Sequence, residues 1–233
     1  MAMKRCFFMV EDWESGGRDN MNNQISAYEI HGLFPIPIYR THRELDLDSS
    51  EKKDIEDIIE EGIYFSASHS FSNNSYIFNT KLKKLKEFCE EHVKQYVKET
   101  INPKEELEFY ITQSWLNVTK PGESHQNHSH ANSIISGAFY IETDIGQTIS
   151  CYDPNQIIKQ PIMITPQDIS NFWNAVTMSS TVEKNMLMLF PSWLEHGVQP
   201  NKQQTKDVIS ISFNTFVRGN LGERKHLNQL ILQ

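Results

Sequence analysis

The spacing of apolar residues changes partway along the chain. Between residues 51 and 100 they recur at helical intervals; from 107 onward they fall in short β-branched and aromatic runs separated by turn residues. A first helix is predicted over 51–62, with Ile55, Ile58 and Ile59 on one stripe and Ser49 and Ser50 as capping candidates. The polar stretch SASHSFSNNS then reads as a loop. A second helix over 80–100 carries Leu82, Leu85, Cys89, His92 and Tyr96 on one face and is ended by Pro103. The runs ELEFYITQSWLNV, SIISGAFYIE, QTISCY, NMLMLF and KDVISISFNTFV read as strands. Upstream, the proline-punctuated AYEIHGLFPIPIYR (27–40) fits an edge strand, and the tail GERKHLNQLILQ a short terminal helix. Two helices followed by many strands predict a mainly β core buttressed by two N-terminal helices.

Composition adds limits. A chain of 233 residues with 38% hydrophobic and 22% charged residues can bury one sizeable core. No repeat or low-complexity linker divides it, so residues 27–233 read as a single domain. Residues 1–26 read as a poorly ordered extension, with Met21 a second candidate start. The net charge of −8 argues against nucleic acid as a partner, since neutralising phosphates takes clustered Lys and Arg. Lys81, Lys83, Lys84 and Lys86 form the one locally basic segment, and their spacing fits a solvated helix face. No apolar run reaches the length of a membrane span. Cys6, Cys89 and Cys151 are scattered and odd in number, which fits free thiols in a reducing, cytoplasmic setting.

The chemistry concentrates in the histidines. Three of the nine lie within GESHQNHSH: His125, His128 and His130. On a strand, residues two apart point the same way, so His128 and His130 would offer two imidazoles to one side. His125 sits at the odd offset and reads as peripheral. Much later, in FPSWLEHGVQPN, His196 follows a strand and a proline turn. A jelly-roll (double-stranded β-helix) can bring such a pair and a distant single histidine to one point. Three imidazoles leave open positions on a metal, as catalysis needs. His31, His42, His69, His92 and His226 read as ordinary surface or core residues. Phe172, Trp173 and Trp193 read as core packing, with an entrance lining as the alternative.

The segments WLNVTKPGESHQNHSHANSIISGAFYI, LFPSWLEHGVQPN and VISISFN together resemble the small bacterial and phage Fe(II)/2-oxoglutarate-dependent oxygenases, relatives of the prolyl hydroxylases. GLFPIPIY is similar to that family's N-terminal strand. The resemblance spans most of residues 28–217. It implies a double-stranded β-helix binding Fe(II) through His128, His130 and His196, with 2-oxoglutarate as cosubstrate and O₂ as oxidant. The implied activity is that of an oxygenase, in particular a hydroxylase of small molecules or of protein or peptide side chains. The far carboxylate of 2-oxoglutarate would need a cation and hydroxyl donors. Lys206 lies ten residues after His196, where prolyl-hydroxylase-like relatives place an arginine. Lys206 and Ser210 share a strand face, and Tyr140 matches a position that offers a phenol to the same carboxylate. A second alignment sets Val208 opposite the arginine; Lys206 would then serve by sharing the face, or Lys120 would replace it. The wider pattern is His-x-Asp/Glu…His, so histidine at 130 leaves the centre one charge more positive.

Three other readings stand beside this one. A cupin dioxygenase is close, since Gly122, His128-x-His130 and Pro191-x-Trp193-x-x-His196 nearly fit its motifs, but Ile134 and Ile135 stand where its glutamate belongs. A zinc hydrolase would need a general base near the metal, for which Glu195 and Asp153 are the candidates. A metal-stabilised jelly-roll that only binds a partner would not decarboxylate 2-oxoglutarate.

Overall fold

In the computed structural model, residues 30, 32–65, 70–155, 162, 164 and 171–233 are described. The proposed 1–26 extension therefore lies outside them, as do His31 and His69. The chain divides into two compact units, Met1–Pro35 and Ile36–Gln233. Every helix and strand of the described residues belongs to the second unit.

Its elements are β1 (Tyr39–His42), α1 (Ser49–Glu60), β2 (Ile63–Phe65), β3 (Ser70–Ser72), α2 (Lys83–Thr100), β4 (Glu108–Thr119), β5 (His125–His128) and β6 (Ile135–Glu142). They continue as β7 (Thr148–Tyr152), β8 (Thr177–Thr181), β9 (Met186–Pro191), β10 (His196–Val198), β11 (Val208–Leu221) and β12 (Leu230–Leu232). Among the described residues, one sheet runs β1-β9-β6-β11-β4-β3-β2, with β12 also on β11, and a smaller one runs β5-β10-β7-β8. The two sheets face each other as the jelly-roll sandwich, and α1 and α2 cover the outer face of the larger.

The strand MLMLFP shows why. Both of its faces are buried, so it reads as a continuous apolar run rather than an alternating one. Leu187 and Leu189 pack with Leu85, Cys89 and Val93 of α2; Met186, Met188 and Phe190 join Ile149 and Leu194 between the sheets. On β11, Ile211 and Phe213 turn to the helix side, leaving Val208, Ser210, Ser212 and Asn214 on the inner face.

Several elements differ from the sequence expectation. The cap of α1 is Asp48, one residue before the two serines; its carboxylate accepts from the Ser50 and Glu51 N–H groups, and the Glu51 carboxylate in turn accepts from the Asp48 N–H. Glu51 is itself buried against Arg43 at 3.0 Å. Among the described residues of the expected 27–40 edge strand and just beyond it, only Tyr39–His42 pairs with β9. Part of the expected 66–75 loop is β3, and the tail forms a 3-10 turn (Arg224–His226) and β12 instead of a helix. Phe172, Trp173 and Trp193 are 61%, 50% and 56% exposed, so none packs in the core.

Candidate metal centre and its cavity

His128 ends β5, and its antiparallel neighbour across the ladder is His196 of β10. The pairing puts their rings 4.5 Å apart between centroids. His130 arrives differently from the expectation. β5 stops at His128, so strand parity does not set the direction of His130. Its loop is held instead by main-chain bonds, the His130 N–H to Ser192 O at 2.8 Å and the Ser192 N–H to Ile134 O at 3.0 Å. The ring of His130 lies 5.1 Å from each of the other two. One nitrogen from each imidazole then falls within 4.8 Å of the others.

The outer nitrogens settle which ones. His128 Nδ1 donates to Gln126 O at 2.7 Å, His196 Nδ1 to Leu194 O at 2.9 Å and His130 Nδ1 to Asn214 Oδ1 at 2.6 Å. Each acceptor is a carbonyl, so each Nδ1 carries the proton and each Nε2 keeps its lone pair. His130 Nε2 is buried with no hydrogen-bond partner in the protein. Three neutral, converging donors with an orphaned lone pair fit a divalent cation. Burial holds His196 down to about 3, only partly offset by the Leu194 carbonyl, and it lowers His130 below the ordinary imidazole range, so both are neutral at physiological pH.

A cavity of about 390 Å³ opens from the triad between the two sheets. Its floor is a series of rungs fixed by register. Asn214 lies between Gln113 and Ser136, Ser212 between Trp115 and Ala138, Ser210 between Asn117 and Tyr140, and Val208 faces Thr119. Asn214 touches His130, so the Ser210 rung lies four residues farther along the strand, roughly 13 Å. The opposite wall repeats the offset: His196 pairs with Cys151 of β7, and Ile149 and then Gln147 line the cavity beyond it. Gln147 is 3% exposed, and its Oε1 has no partner.

The predicted cosubstrate residues divide. Tyr140 and Ser210 line the far end, and burial raises the Tyr140 phenol so that it stays a neutral donor. Lys206 and Lys120 do not line the cavity. β11 begins at Val208, so Lys206 lies before the last inward rung, exposed, with its N–H on Asp144. Lys120 is exposed, its ammonium 4.7 Å from the Phe65 ring centroid. Among the described residues, the lining contains no Lys, Arg, Asp or Glu. Glu195 and Asp153, the bases considered for a zinc hydrolase, are absent from it. His125 lines the cavity outside the triad, with Nε2 2.8 Å from Thr119 Oγ1.

Sequence reasoning missed Asn214, Ser192 and Gln147. The parity that put Val208 and Ser210 inside also reaches Asn214, two steps on. The alternation of QTISCY likewise carries Gln147 to the side of Ile149, whereas Ser192 sits in a turn, where no periodicity marks it.

Residues 113–214 match the family described as "Putative 2OG-Fe(II) oxygenase". No curated protein matches the chain. Among solved structures, an oxidoreductase of the 2OG-Fe(II) oxygenase family from Burkholderia pseudomallei superposes with a TM-score of 0.50 at 8% identity, covering 76% of this chain and 83% of that one. A non-haem alpha-ketoglutarate-dependent carbocyclase from nogalamycin biosynthesis gives 0.50 at 9% identity, covering 77% and 79%. A prolyl-4-hydroxylase from Pseudomonas putida gives 0.47 at 10%, covering 77% and 92%. At such identities the likeness is one of fold.

Proposed function

We propose that this chain, whose residues 113–214 match the model of the 2OG-Fe(II) oxygenase family, is an Fe(II)- and 2-oxoglutarate-dependent hydroxylase. The observation that carries the reading is the triad itself: three Nδ1–H groups tied to carbonyl oxygens, and three Nε2 lone pairs turned to one point. His128, His130 and His196 would hold the iron. When bound with 2-oxoglutarate, Fe(II) supplies activation of O₂, which splits the cosubstrate to succinate and CO₂ and leaves an oxidant able to attack a C–H bond.

The chain's own residues do the rest. The inward rungs of β11 and β6 orient the cosubstrate along the cavity, with its 2-oxoacid end at the triad and its far carboxylate at Tyr140 and Ser210. Gln147 faces that end from the other sheet. A buried carboxylate needs several donors when no cation accompanies it, and the phenol, hydroxyl and amide are those donors. Trp115, stacked on His130 with centroids 5.8 Å apart, and Phe190, 4.6 Å from His196, each cover one face of those two imidazoles. With the cosubstrate seated, the remaining space fits a small molecule or one side chain of a peptide. The test is O₂-dependent formation of succinate from 2-oxoglutarate by the Fe(II)-loaded protein. Turnover that disappears in His196→Ala supports the reading; no decarboxylation above a protein-free control overturns it.

A further inference from the structure

We infer that Asn214 is the positioning residue that makes a histidine usable as the third metal ligand. The inference rests on the proposed metal centre and deepens it. Of the three imidazoles, His128 and His196 are oriented by main-chain carbonyls only two residues away, Gln126 O and Leu194 O. Those acceptors come with the local backbone. His130 has none of its own, and its Nδ1–H reaches across 84 positions of sequence to a side chain, Asn214 Oδ1, at 2.6 Å.

Asn214 is built to stay there. It is 6% exposed, and its Oδ1 also accepts from Ser136 Oγ at 3.0 Å, while Nδ2 points to Gln113 Oε1 at 3.4 Å. Ser136 Oγ lies 2.8 Å from Ser192 Oγ, which in turn lies 2.7 Å from Ser133 Oγ. Ser192 is also the residue whose carbonyl fixes the His130 N–H, so one network grips both the ring and the backbone of His130. The neighbouring Thr215 holds the following segment, its Oγ1 donating to Ile135 O at 2.8 Å and its carbonyl accepting from the Ile134 N–H at 3.0 Å.

The partner strand β4 carries a bulge at this point. Against β4 the register slips between Asn214 and Thr215, so that Gln113 and Ile111 face consecutive residues of β11 and Thr112 is the extra one. A β-bulge locally disrupts the ladder, and this one lies on β4 opposite the two residues that hold the His130 loop. A neutral amide suits the task. Its oxygen fixes the tautomer by accepting a hydrogen bond from Nδ1–H, and it accepts from Ser136 through its second lone pair.

The test is an absorption titration with Co(II) of metal-free wild type, Asn214→Leu, Asn214→Asp, His130→Ala and the double variant Asn214→Leu/His130→Ala. Asn214→Leu strands the Nδ1–H and is expected to weaken Co(II) roughly 10- to 100-fold. Asn214→Asp keeps an oxygen in place and is expected to bind at least as tightly as wild type. Because Asn214 acts through His130, adding Asn214→Leu to His130→Ala is expected to cost less than about threefold more, a coupling that a merely structural role would not produce. If Asn214→Leu fails to fold, Asn214→Ser, too short to reach the ring, takes its place with the same expectation. Wild-type affinity in Asn214→Leu, no rescue by aspartate, or full additivity with His130→Ala each overturns the inference while leaving the metal centre intact. Absence of Co(II) binding in wild type overturns both.

Discussion

At the scale of single residues, the centre is defined by protons. Every Nδ1 of the triad gives its hydrogen to a carbonyl, so the sequence distance between ligands matters less than the acceptors beside them. Replacing His128 or His196 by Ala is expected to abolish stoichiometric Fe(II) while the far-ultraviolet circular dichroism stays unchanged; retained iron in either variant would contradict the triad. At the other end of the cavity, Tyr140→Phe would remove the buried phenol proposed to donate to the cosubstrate carboxylate. That is worth about 1.5–3 kcal/mol, or roughly 10- to 100-fold in 2-oxoglutarate affinity by calorimetry. Lys206→Ala is expected to change nothing, because the lysine is exposed beyond the last inward rung; a large loss there would restore the cation that the spacing from His196 first suggested. The pH dependence follows from His196, held neutral by burial down to about 3. An unfolded histidine takes its proton near pH 6.5. The unfolded chain therefore binds the extra proton between those values, and the metal-free fold, fully stabilised above about pH 6.5, loses stability as pH falls through that window. Chelator-treated protein is expected to melt lower at about pH 5 than at about pH 8, with a smaller difference in His196→Gln.

At the scale of elements, the periodicity found what periodicity controls. The two helices and the strands β4, β6, β7, β9 and β11 were legible because each buries a stripe or a face, and the all-buried MLMLFP was legible as a run because it is covered on both sides. The strands β5, β8 and β10 carry too few apolar residues to announce themselves, and β10 is only His196–Val198. Their pairing comes from the partner strand, not from their own composition. Gly197 shows how close that pairing is. A Cβ there would stand 2.6 Å from Asn127 Oδ1 and 2.9 Å from His125 O, so only glycine lets β10 lie against β5. Gly197→Ala is expected to push the two strands apart and separate His196 from His128. A loss of roughly tenfold or more in Mn(II) affinity, read by electron paramagnetic resonance, would bear this out; unchanged affinity would mean that the ladder absorbs the methyl elsewhere.

At the scale of the molecule, a helix-backed sandwich lends its inner faces to a cavity whose lining, among the described residues, contains no Lys, Arg, Asp or Glu. The −8 net charge lies elsewhere on the chain, and no described helix is long and apolar enough to cross a membrane. The jelly-roll and the three clustered histidines could be read from the motifs, because the His-x-His pair and the later histidine are sequence signals. The far end of the cavity could not, because it depends on where β11 begins, and a boundary two residues later moves Lys206 from wall to surface. The most direct measurement is anaerobic titration of Fe(II)-loaded protein with 2-oxoglutarate, followed in the visible range. A charge-transfer band that saturates at one equivalent and is missing in His196→Ala is the expected result. Stoichiometric iron with no band at any 2-oxoglutarate concentration would contradict the assignment of this cavity to that cosubstrate.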